Sequence, residues 1–289
     1  MKDFVITTDN MGDLPDSYYK EHQISYLFLT YTMDGVTYNR ENQLSSQEFY
    51  RRMREGSMPT TSQVNAEEAK QLWIPFLEKG CDVLHIAFSS GLSGTYNSCR
   101  LAAEELKEEY PDRTVTVIDS LCASLGQGLY TDYAVRMKED GSSMEEIVDW
   151  LTKNRLNLCH VFTVDDLFHL HRGGRVSKMT AVLGTMINIK PLLHVDDEGH
   201  LIAVGKVRGR KRSLMKLVDM MEERVKDYPG ENPRFFISHG DCLEEARYVA
   251  DLVKERFGIE EVLIHPVGAT IGAHSGPGTM ALFFLGSYR

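Results

Sequence analysis

Short apolar runs separated by helical stretches fill the first half of the chain, and no other feature limits its fold as tightly. FVITT at 4–8, ISYLFLTY at 24–31, DVLHIAFS at 82–89 and TVTVID at 114–119 read as strands. Between them, Ser45 with Glu48 and Asn65 with Glu68 have the spacing of capping boxes, and Gly56 and Gly80 close the helices they open. TYNSCRLAAEELKEEY, a stretch at 129–138, and a helix opened by Ser143 with Glu146 and carrying Trp150 and Leu151 complete the alternation. Strands joined by helices form βαβ units, which dictates a mainly parallel sheet with helices on both faces. The first domain is therefore expected to be a Rossmann-like α/β layer structure, though the glycine fingerprint for a dinucleotide is absent. Asp34-Gly35 adds a tight turn into VTY.

Beyond about residue 157 the pattern changes. HVFTV reads as a strand and leads to a short segment at 167–170 and a helix-like KMTAVLGTMI. KPLLHV and HLIAVGKV flank Asp196-Asp197-Glu198-Gly199 as an antiparallel hairpin. A long helix follows with Leu214, Leu217, Val218, Met221 and Val225 on one stripe. RFFIS, a helix at 243–256, EVLIHPV and MALFFLG complete a mixed α/β domain. A chain of 289 residues is near the size at which one core divides. The expected division is residues 1–158 and 159–289.

A formal charge of −10 disfavours nucleic acid over the surface as a whole, while leaving room for a local basic patch. The five cysteines are scattered singly with no metal spacing, which points to free thiols in a reducing compartment. None of the ten histidines forms a recognised metal motif, and no sequence signature calls for a cofactor. The first fifteen residues lack the apolar stretch of a secretory signal, and no apolar run is long enough for a membrane span. The expectation is a cytoplasmic protein without stable membrane insertion.

Four small, polar segments break the pattern: TTDN, PTTSQ at 59–63, SSGLSGTYNS at 89–98 and GATIGAHSGPG at 268–278. Loops that leave strand carboxyl ends converge on one edge of an α/β sheet, where ligands bind. In SSGLSGTYNS, Ser93 offers a hydroxyl and Gly94 a backbone donor to an anion; helix capping by Ser89 or Thr95 is the simpler reading. Thr61 and Ser62 are adjacent hydroxyls suited to a carboxylate, or else a polar surface turn. Asp9 is either a site residue or a turn former. LHRGGRVS places Arg172 and Arg175 around two glycines, to receive an anion, to clamp the domain junction, or simply as solvated loop charge. Lys206, Arg208, Arg210, Lys211 and Arg212 form the densest basic run, a patch for an acidic partner or a phosphate-bearing ligand, or else solvated charge. His274, set among glycines, is a contact residue by this reading, whereas His85, His160 and His265 fall within strand patterns and read as core. His169, His171 and His239 sit beside turns.

Taken in order, ITTDNMGDLP, PTTSQ, SSGLSGTYNS, LHRGGRVS, GTMINIKPLL, GKVRGRKR, ISHGDCLEEA and GAHSGPG resemble the DegV family of bacterial fatty-acid-binding proteins from end to end. The resemblance implies a long-chain fatty acid in a tunnel between the two domains, its carboxylate held by Thr61, Ser62, Ser93, Gly94 and His274, with Arg175 important near the head group or for a partner. It also implies a separate fatty acid kinase subunit to which the acid is presented for acyl-phosphate formation. Asn10 stands where the family usually has serine, and His171 departs from its arginine-rich segment. With no kinase signature in this chain, two other functions compete: an acyl hydrolase or transferase using Ser93 and His274, and a lipid-responsive regulator.

Overall fold

The computed structural model describes residues 3–165, 167–176 and 188–289. The helix expected over KMTAVLGTMI lies outside them. Two α/β domains face each other. The first is built on a four-stranded parallel sheet in the order β2-β1-β6-β7, from β1 (Phe4–Asp9), β2 (Ser25–Leu27), β6 (Asp82–Ala87) and β7 (Val115–Asp119). The second carries a six-stranded mixed sheet in the order β10-β9-β8-β13-β11-β12. Its strands are β8 (Leu158–Thr163), β9 (Ile189–Val195), β10 (Leu201–Arg208), β11 (Arg234–His239), β12 (Glu261–Pro266) and β13 (Met280–Leu285). The expected hairpin is β9–β10, which pair antiparallel, and only β11 and β12 run parallel.

The expected capping boxes are realised in two helices. Asn65 and Glu68 close a full box at α3 (Ala66–Leu77), and Ser143 and Glu146 do so at α6 (Met144–Asn154). At α2 (Ser46–Arg54) only half the box forms: Ser45 accepts from the Glu48 N–H, but the Glu48 carboxylate is drawn outward by Arg51 and Arg52.

ISYLFLTY is not one strand. Only Ser25–Leu27 pairs with β1, and the chain then leaves the sheet to form β3 (Tyr31–Met33). The intervening Leu29 finds its backbone partners elsewhere: its N–H donates to Asn10 Oδ1 (2.8 Å), and its carbonyl accepts from Thr270 Oγ1 (2.8 Å). β3 belongs to a small third sheet with β4 (Val36–Tyr38) and β5 (Thr60–Thr61). The expected Asp34-Gly35 turn joins β3 to β4, both residues having positive φ (52° and 80°), as a type I′ hairpin turn requires.

The helix expected at 129–138 begins earlier, as α5 (Leu125–Glu139), and lies between the two sheets. Leu125, Leu129, Tyr130, Ala134 and Val135 are buried in a cluster that takes Leu84 and Ile86 from the first sheet and Phe162, Leu193 and Phe283 from the second. One apolar core therefore spans both domains, and burial on this scale is what holds two such layers together. The long helix α8 (Arg210–Val225) buries Leu214, Leu217, Val218 and Met221 of the expected stripe against the far face of the second sheet. No helix among the described residues is long and apolar enough to cross a membrane.

Candidate functional site

A cavity of about 560 Å³ lies between the domains, within the usual size range of ligand sites. Its apolar walls come from both sides: Met11 from a short 3-10 helix (Asn10–Gly12) and Phe88 and Leu92 from a loop of the first domain, and Phe162, Ala281 and Phe283 from strands of the second. At one end the wall turns polar, and there the sequence-selected residues gather. Thr61, Ser62, Ser93, Gly94, Arg175 and His274 all line it. Ser62, Gln63 and Gly94 are exposed, so this end opens to solvent.

Each arrives by a different element. Thr61 is placed by β5, whose pairing with Tyr31 orders PTTSQ as an edge strand rather than a free turn. His274 comes from α10 (Ala269–Ser275), and its Nε2 meets Thr61 Oγ1 at 2.8 Å. Burial first, and then the nearby cations Arg175 and Arg172, push the imidazole down to about 4. The ring is therefore neutral at pH 7 and can donate or accept. Its Nδ1 is buried with no hydrogen-bond partner among the described residues.

Ser93 and Gly94 lie in the loop between β6 and α4 (Thr95–Glu109). The Ser93 hydroxyl accepts from the Thr95 N–H (3.2 Å) and lies 3.0 Å from Thr95 Oγ1 while lining the cavity; the helix N-cap itself is Gly94, without a side-chain cap bond. Neither Ser89 nor Thr95 caps this helix, contrary to the simpler reading: Ser89 Oγ donates to Gly199 O, and Thr95 Oγ1 accepts the Val64 N–H. The Ser93–His274 dyad that acyl hydrolysis would need is not formed, since the hydroxyl is engaged by Thr95 and the imidazole Nε2 by Thr61.

The two arginines of the glycine segment tie the domains together. Arg172 donates to the carbonyls of Pro59 and Ala273, both at 3.0 Å, and Arg175 donates to Leu92 O (3.1 and 3.3 Å) and Gly173 O (2.5 Å). Arg175 also lines the cavity, so it serves the junction and the site together. In the basic run, Arg210 pairs with Glu245 at 2.5 Å, while Lys206, Arg208, Lys211 and Arg212 are exposed.

Asp9 is a buried structural acceptor. It takes the N–H groups of Met11 (3.1 Å) and Phe88 (2.8 Å) and the Gln127 amide (3.0 Å), and burial raises it to about 6. His85 is a core residue, as expected, and Thr7 and Cys99 contact it; His160 is also buried and accepts the Ala123 N–H, but unlike the expected core histidine it lines the cavity. His265 is only part-buried, and Nδ1 of the buried His239 accepts the Cys242 N–H in the turn after β11.

Sequence reasoning missed Ser124, Ser275, Thr270 and Thr279, which also line the cavity. Three of these lie within or beside the GATIGAHSGPG segment, where their neighbours signalled a site. Ser124 gives no signal. Its Oγ donates to Asp13 Oδ2 at 2.5 Å and lies 2.7 Å from Ser238 Oγ, a link between the domains directly behind the cavity wall. Among the described residues no group of three or more potential metal ligands occurs.

Two facing α/β domains with an apolar cavity between them and a hydroxyl-and-imidazole end define a two-domain α/β protein with an interdomain cavity. The chain belongs to the DegV family: the model of that family, described as an uncharacterised protein family, matches residues 3–287. It is 45% identical to a DegV domain-containing protein of Clostridium perfringens, over 100% of this chain and 99% of that one. Among solved structures it is similar to a fatty-acid-binding DegV family protein from Thermus thermophilus (TM-score 0.87, 29% identity, 99% of this chain and 100% of that one). It is also similar to a stearic-acid-binding protein from Eubacterium ventriosum (TM-score 0.90, 26% identity, 99% of each chain).

Proposed function

We propose that this protein binds a long-chain fatty acid in a tunnel formed by the interdomain cavity and presents the carboxylate to a separate kinase subunit. The observation that carries the reading is the cavity's polarity: apolar walls from both domains lead to an exposed end where Thr61, Ser62, Ser93, Gly94 and His274 converge beside Arg175. The relatives whose names describe fatty-acid binding share this fold across almost the whole chain.

Each buried methylene contributes about 0.8 kcal/mol, so an acyl chain of about sixteen carbons gains on the order of 10 kcal/mol before ordering costs. The walls therefore supply most of the affinity. Hydroxyls and a neutral imidazole can hold a carboxylate by hydrogen bonds while the charge of Arg175 lies close by. Presented at the open end, a carboxylate oxygen attacks the γ-phosphoryl of ATP held by the partner, giving acyl phosphate and ADP. The exposed Lys206, Arg208, Lys211 and Arg212 offer an acidic partner a docking surface. The five cysteines stand as free thiols, in keeping with a cytoplasmic setting.

Native mass spectrometry of the purified protein, followed by denaturing extraction, tests the binding. A stoichiometric long-chain acid is expected; no acid, and no uptake from an added mixture, would sink the reading. Thr61→Val and His274→Ala should each weaken binding about ten- to a hundredfold, the usual cost of losing a hydrogen bond to a charged group. Gly173→Ala tests the same contact from behind. A methyl there would sit 2.2 Å from His274 Nδ1, so the ring must leave Thr61. Binding should fall at least about tenfold while far-UV circular dichroism stays unchanged, and unaltered binding would show that the His274 position does not matter.

A further inference from the structure

Gly94 is a glycine that its own backbone does not require. At φ −72° and ψ −2° it has a right-handed conformation open to ordinary residues. What fills the place of a side chain there is Gln63. A methyl on Gly94 would stand 2.3 Å from Gln63 Oε1 and 3.1 Å from Nε2, so the amide rests directly on the glycine and an alanine would push it aside.

The two segments are also tied together through their main chains. The Ser62 N–H donates to Thr30 O (3.0 Å), the Val64 N–H donates to Thr95 Oγ1 (3.4 Å), and that hydroxyl lies 3.0 Å from Ser93 Oγ. The backbone is therefore held on both sides of Gln63, and its side chain leans over the Ser93–Gly94 turn. Gln63 lines the open end of the cavity with Thr61 and Ser93. The hydroxyls of those two are already engaged, by His274 and by Thr95. The Gln63 amide makes no hydrogen bond to another described residue, which leaves two N–H donors uncommitted beside them.

We propose that Gln63 is a further head-group residue, its amide donating to the ligand's carboxylate at the open end, and that position 94 is glycine so that the amide can lie there. The inference rests on the fatty-acid reading above. An amide suits this place because it donates without carrying a charge of its own. Gln63 is exposed, so changing it leaves the cores of both domains intact.

The test measures the affinities of tetradecanoic acid and of tetradecan-1-ol, by displacement of a fluorescent fatty acid, for the delipidated wild type, Gln63→Ala and Gln63→Glu. Gln63→Ala should weaken the acid about tenfold and the alcohol less, because a hydrogen bond to a charged group is about twice as strong as one to a neutral group. Gln63→Glu should weaken the acid further, most at low salt, and spare the alcohol, whose hydroxyl can donate to the new carboxylate. Gly94→Ala should reproduce the loss when Gln63 is present and add little to Gln63→Ala. Equal losses for acid and alcohol would mean that the side chain only covers the mouth, and the proposal falls. It falls as well if Gly94→Ala costs the same with and without the amide. If the wild type binds no acid at all, the fatty-acid reading itself is overturned and this proposal goes with it.

Discussion

Replacing Asp13 by asparagine is expected to stabilise the protein relative to wild type at pH 8, by a margin that shrinks steadily as the pH is lowered to 4. Asp13 is buried at the junction, accepting from Ser124 of its own domain and from the Gly268 N–H of the other. Desolvation raises its carboxyl from 3.8 to about 7 against the pull of those hydrogen bonds, with the Asp9 charge adding to the rise. Between those two values the folded protein holds a proton that the unfolded chain has released, so stability falls as pH rises through the window. At about 1.4 kcal/mol per pH unit, the shift corresponds to on the order of 4 kcal/mol, which the asparagine variant does not lose. His274 and His85, held down to about 4 and about 3, titrate in the opposite sense but are common to both proteins and cancel in the difference. Urea unfolding of the pair at several pH values measures it; parallel stability curves would mean that the buried carboxyl stays at its ordinary value.

The second large effect is in the first domain's core. Trp73→Ala should cost about 3–5 kcal/mol and, in a chain of this size, lower the melting temperature by about 10 °C. The indole is fully buried, packs edge-on against His85 at 5.1 Å and donates from Nε1 to Thr7 Oγ1 (3.3 Å), which itself meets His85 Nδ1 at 3.0 Å. Removing it opens a cavity and strips a donor from a chain of polar groups that runs on to Cys99. Thermal unfolding followed by far-UV circular dichroism decides the matter. A loss below about 1 kcal/mol would mean that the surrounding core closes over the gap.

The features legible in the sequence are those set by neighbours along the chain. The boxes at Asn65 and Ser143 and the Asp34-Gly35 turn depend on residues a few positions apart, and they form where expected. Ser45 shows the limit: Glu48 is correctly spaced, yet Arg51 and Arg52 compete for its carboxylate and win. The break in ISYLFLTY is invisible locally, because the group that accounts for the Leu29 carbonyl is Thr270, 241 positions away. The same holds for the site. Hydroxyls and an imidazole in small-residue loops pointed to Thr61, Ser93 and His274, which line the cavity, but nothing near Ser124 reveals that it lines it too, tied to Asp13 and Ser238. Apolar strands show that Phe162 and Phe283 are inside without showing that they face a ligand space rather than another side chain.

Arg172 fastens the rim of the site by gripping carbonyl oxygens of the main chain, at Pro59 on one domain and Ala273 on the other. A carbonyl is presented by every residue type, so the identities at 59 and 273 are free to vary, and the clasp survives the change. The guanidinium has no such freedom: one planar nitrogen reaches both oxygens at 3.0 Å, and a lysine ammonium at the end of a flexible stem lacks that preset fork. The clasp therefore concentrates in one side chain a constraint that would otherwise fall on three.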